Sequence, residues 1–107
     1  MDLELTTWER IMLIVTTGSL RGPVALARQA GKLLDVLEFS PEQRAEIGLV
    51  IAPNGMIGWA GQHDTRTWSV QVKNDLIPLL RNAVQGFEGW TARDLPRLDE
   101  LMAKLGA

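Results

Sequence analysis

The sequence predicts an α+β fold: about five helices with a central antiparallel β-hairpin or three-stranded meander, in the order ααα-βββ-αα. Three observations carry this. Apolar residues recur at helical spacing in several segments that open on a capping residue or a first-turn proline. Asn54-Gly55 stands between two apolar runs, the strongest short-range hairpin signal. Thr67 to Lys73 then alternates, with Trp68, Val70 and Val72 on one face and Ser69 and Gln71 on the other. At 107 residues the chain has the size of a single domain with one hydrophobic core.

The first helix is expected over about 7–17. Thr6 and Glu9 have capping-box spacing, and Trp8, Ile11, Met12 and Val15 share a face. Leu13 and Ile14 are apolar too, so this helix should meet neighbours on several sides. Gly18 to Gly22 breaks it, and Pro23 opens a second helix over about 23–38 with Leu26, Ala30, Leu33, Leu34 and Leu37 inward. Ser40-Pro41-Glu42-Gln43 starts a short third helix that ends near Gly48. After the strands, Asn74 or Asp75 is expected to cap a helix striped by Leu76, Leu80, Ala83, Val84 and Phe87. Gly89 in a left-handed conformation should stop it, returning Trp90 toward Val84. Asp94 should cap the last helix, which buries Leu98, Leu101, Met102 and Leu105.

Composition narrows the chemistry. Eleven basic against thirteen acidic residues give a formal charge of −2, which provides no general attraction to phosphate backbones. There is no cysteine and a single histidine, His63, which removes thiolate nucleophiles and most zinc sites. No cofactor, metal site or catalytic group is expected. The first residues lack a secretory pattern, and the apolar run Ile11–Val15 is too short for a bilayer, so the expected location is the cytoplasm, with no membrane partner.

Four local patterns invite a chemical reading. Gly18–Pro23 leads into a helix but lacks the lysine and hydroxyl residue of a phosphate loop. His63-Asp64 pairs an imidazole with a carboxylate, without a second histidine or a nucleophile context. Glu42 and Glu46 share a helix face that reads as solvated surface. Arg21, Arg28 and Lys32 form a small basic patch. Together with Arg66 they supply the alternative reading, a winged-helix nucleic-acid-binding regulator with Asn54-Gly55 at the wing tip. Glu42 and Glu46 on the would-be reading helix, and a wing without positive charge, disfavour it.

The hairpin is the leading candidate. A two-residue turn pairs Val50 with Trp59 and Ile51 with Gly58, which leaves both faces apolar. One face is therefore expected to bind protein, through Ile51, Met56 and Trp59, with Trp59 as the preferred anchor. Trp8-Glu9-Arg10, Leu37 to Arg44 and Gly55 to Trp59, followed by a closing helix pair, resemble small uncharacterised accessory proteins of phage and prophage type. That resemblance implies a compact adaptor or inhibitor of a host factor and carries no site residues. The expectation is a non-enzymatic interaction module that binds another protein, a second copy of itself, or both.

Overall fold

The computed structural model describes residues 1–106. The chain runs β1 (Asp2–Thr6), α1 (Thr7–Gly18), α2 (Val24–Leu37), α3 (Pro41–Ile47), β2 (Val50–Ile51), β3 (Ile57–Gly58), β4 (Thr67–Gln71), α4 (Ile77–Gly86) and α5 (Leu95–Lys104). The fold is α+β with five helices and small antiparallel sheets. The meander is not formed: β2 pairs only with β3, while β4 pairs with β1. Strand β1 was not expected, although Asp2-Leu3-Glu4-Leu5 alternates in period two. Its register sets Leu3 against Val70 and Leu5 against Trp68. These four side chains are buried, and Asp2, Glu4, Thr67, Ser69 and Gln71 face outward.

Strand β1 passes into α1 without a loop because Thr6 serves both. Its hydroxyl accepts from the Glu9 amide at 3.1 Å and its own amide donates to Glu9 Oε1 at 2.9 Å, completing the capping box. Helix α1 then divides the interior. Leu13 belongs to a large cluster with Leu33, Leu80 and Leu101, whereas Ile11 belongs to a smaller one with Phe39, Ile47 and Trp68. That division is why α1 is apolar around most of its circumference.

Three helix boundaries differ from expectation. Helix α4 is preceded by a 3-10 turn, Asn74–Leu76, without a side-chain cap, and it ends through an extended Phe87. Gly89 does not adopt the left-handed conformation, which is confined to Gly48, Gly55 and Gly106 among the described residues. Trp90 still returns to the last turn, where its indole N–H donates to Val84 O at 2.7 Å and Phe87 meets its ring edge-on. At α5 the cap lies further upstream: Thr91 and Asp94 form a capping box around a 3-10 turn that feeds the helix.

One buried cation ties α1 to the rest. Arg10 is 5% exposed. Its Nε donates to Leu37 O at 2.6 Å and its Nη2 to Glu38 O at 2.9 Å, so it binds the carboxyl end of α2. The guanidinium also lies over the Phe39 ring, 4.1 Å from its centroid. Burial pushes its pKa below the ordinary value, yet a guanidinium stays charged. Arg10→Ala leaves two carbonyls without their charged donor, so stability measured by chemical denaturation should fall by about 3 kcal/mol. A loss below about 1 kcal/mol would show that water replaces the guanidinium at little cost.

Candidate protein-interaction surface

The hairpin is built outward from the end of α3. Ser40 and Gln43 form a reciprocal cap, Pro41 fills the first turn, and Gly48 closes the helix in the left-handed region at φ 67°. The chain then turns back on α3. The Leu49 amide donates to Arg44 O and the Ala60 amide to Ile47 O, both at 2.9 Å, so both legs of the hairpin are fixed to one helix end. Leu49, Ile57 and Trp59 pack against the smaller core cluster.

The turn differs from expectation by one residue. Ile51 pairs with Ile57 and Val50 with Gly58, not Ile51 with Gly58. The Gly55 amide donates to Ala52 O and the Ala52 amide to Met56 O, each at 2.8 Å, which makes a three-residue loop of Pro53, Asn54 and Gly55. Pro53 presets the φ of a type I turn, so Asn54 keeps negative φ and only Gly55, at φ 84°, is left-handed. A one-residue slip reverses which side chains of β3 share a face with those of β2. Ile51 therefore lies on the face of Ile57 and Val50 on the opposite one, beside Gly58.

The far end of this hairpin is uncovered. Val50 and Ile51 are each 65% exposed and Met56 is 69% exposed. Beneath Ile51 and Ile57 a cleft of about 100 Å³ reaches Ile11, Ile14 and Phe39. Trp59 is placed differently from Ile51 and Met56. It is half-buried, and its indole N–H donates to Asp64 Oδ1 at 2.7 Å. It anchors the base of the hairpin, while Ile51 and Met56 present the tip. Val50 was not among the expected interface residues.

The remaining candidates divide between local contacts and exposed surface. Asp64 accepts from Trp59 and pairs with Arg97 at 3.3 Å, and the His63 ring lies 3.4 Å from Gln62 Nε2. Glu46 pairs with Arg66 at 2.8 Å, and the Arg66 guanidinium covers the Trp68 ring at 4.1 Å. Arg66 thus has neighbours different from those of the exposed Arg21, Arg28 and Lys32. Lys32 borders a cleft of about 530 Å³ with Asp35, Val36, Val72 and Lys73. Arg21 borders another, of about 590 Å³, with Ser19, Phe87 and Glu88. Among the described residues, no helix is long and apolar enough to cross a membrane, and no three acidic or histidine side chains gather as metal ligands. No protein-family model matches the chain, and comparisons with curated proteins and with solved structures find no match either.

Gly55 is the one position of the loop where a side chain is strained. Gly55→Val should cost more than about 1 kcal/mol in the hairpin, read as faster hydrogen exchange at the Ala52 amide. Asn54→Gly should change that exchange less, because Asn54 needs no positive φ. Equal exchange in wild type and Gly55→Val would place the turn elsewhere.

Proposed function

We propose that the chain is a non-enzymatic protein-interaction module, an adaptor or inhibitor of phage type, that docks through the tip of its β2–β3 hairpin. One observation carries this reading: Val50, Ile51 and Met56 are large, apolar and about two-thirds exposed on a two-stranded sheet that no other strand joins. A second sheet of the same chain provides the contrast. The outer face of β1 and β4 is polar, as an antiparallel sheet with a wet face should be. The hairpin does not follow that rule, and docking is the use that explains the departure. The same reading places the module in the cytoplasm with a protein partner.

The experiment compares two positions. A photo-crosslinking residue is placed at position 51 and, separately, at position 28 in the basic patch, and each protein is irradiated in extract of the source cells. The expected result is discrete protein adducts from position 51 that Met56→Glu abolishes, with melting temperature unchanged. Duplex DNA is titrated in parallel. Micromolar binding with a steep negative salt slope that Arg28→Ala weakens would overturn the reading in favour of nucleic acid.

A further inference from the structure

Ile47 to Gln62 contains no formally charged residue. A partner that seats a charge against this segment strips water from that charge and finds no counter-charge. A second copy of the chain brings an equally uncharged hairpin, and the charges that border it, Glu38 and Arg44, already pair with each other at 3.9 Å. Resting on the interaction reading above, we infer that the hairpin docks on the hairpin of a second copy about a twofold axis, β2 beside β2, to form a four-stranded antiparallel sheet.

The backbone identifies the seam. The Ala52 amide bonds inward to Met56 O, so alternation along the strand turns the amide and carbonyl of Ile51 outward. No other backbone group among the described residues takes them up. The neighbouring positions limit the edge: the Leu49 amide is committed to Arg44 O, and Pro53 has no N–H. On β2 what remains is the amide and carbonyl of Ile51; Ile57 turns the same pair outward on β3, but β3 is half-buried whereas β2 is exposed. A twofold axis at Ile51 satisfies both, each copy donating its Ile51 amide to the Ile51 carbonyl of the other. It also brings Val50 of each copy beside Ala52 of the other, with Met56 one strand further out. Strand β1 has an open edge too, but pairing there would set Asp2 and Glu4 near their own copies.

Sedimentation velocity across the micromolar range tests this on the full chain. Wild type should shift from monomer to dimer and no further. Val50→Glu, which sets a like charge from each copy beside the seam, and Ile51→Pro, which removes the outward amide while sparing the inward ladder, should each weaken the dimer by about tenfold or more. Ile51→Val should dimerise like wild type, and circular dichroism should show all variants folded. Should Ile51→Pro lose the hairpin, Val50→Glu and hydrogen exchange at the Ile51 amide, slowed only in the dimer, decide. A wild type that stays monomeric overturns the inference, as does a dimer indifferent to Val50→Glu or assembly beyond two copies. If the monomer still gives protein adducts from position 51, only the second copy falls; if it gives none, the docking reading falls with it.

Discussion

A charged side chain removed from water must be met by polar groups, and Arg10 is met by backbone. Among the described residues no carboxylate pairs with it; two carbonyls at the end of α2 and the faces of Phe39 and Trp68 receive it instead. The end of a helix leaves carbonyls without partners, and a cation there satisfies them and complements the helix dipole. The geometry leaves little freedom. Helix α1 must lie where Arg10 reaches Leu37 O, Phe39 must follow α2 directly to cover the guanidinium, and β4 must bring Trp68 to the same place. The smaller core cluster is assembled around this cation, and the hairpin stands on that cluster.

Helix α1 has a second polar tie. Glu9 is buried, caps α1 through the Thr6 amide, and receives Lys104 of α5 at 2.5 Å. The lysine comes from the last turn of α5, so one carboxylate joins the start of α1 to the end of the chain's final helix. Trp8 lies beside it, with Trp90 at 6.2 Å and Arg97 over its ring. Neighbouring residues Glu9 and Arg10 thus tie α1 to two different helices, α5 and α2.

The helices were legible because their signals are local. Thr6 with Glu9, and Ser40 with Pro41 and Gln43, state a helix start within four residues of chain. Strand β1 was equally periodic, but its partner β4 lies more than sixty residues away in the register Leu3 with Val70, and no local pattern names such a partner. The turn register was misread because Pro53 outweighs Asn54: Asn-Gly alone favours a two-residue loop, whereas proline before it favours a type I turn closed by a left-handed glycine. At the candidate surface, Ile51 and Met56 were legible as apolar residues without charge nearby. That Trp59 belongs to the base of the hairpin depends on Asp64 and on the Ile11–Trp68 cluster, which only the folded chain brings together.

The hairpin is therefore two regions with different duties. Its base is secured by backbone bonds to the end of α3, by the Trp59 indole on Asp64, and by Leu49 and Ile57 on the core beneath. Its tip makes no such contribution. An isolated two-stranded sheet is marginal in water, so the tip retains its shape because the base is held and the Pro53–Gly55 turn is preset. Apolar side chains on such a tip add nothing to the core, and replacing them with polar ones costs the fold little. Their chemistry is thereby separated from folding: the Arg10-centred cluster holds the platform, and Val50, Ile51 and Met56 stand exposed on it.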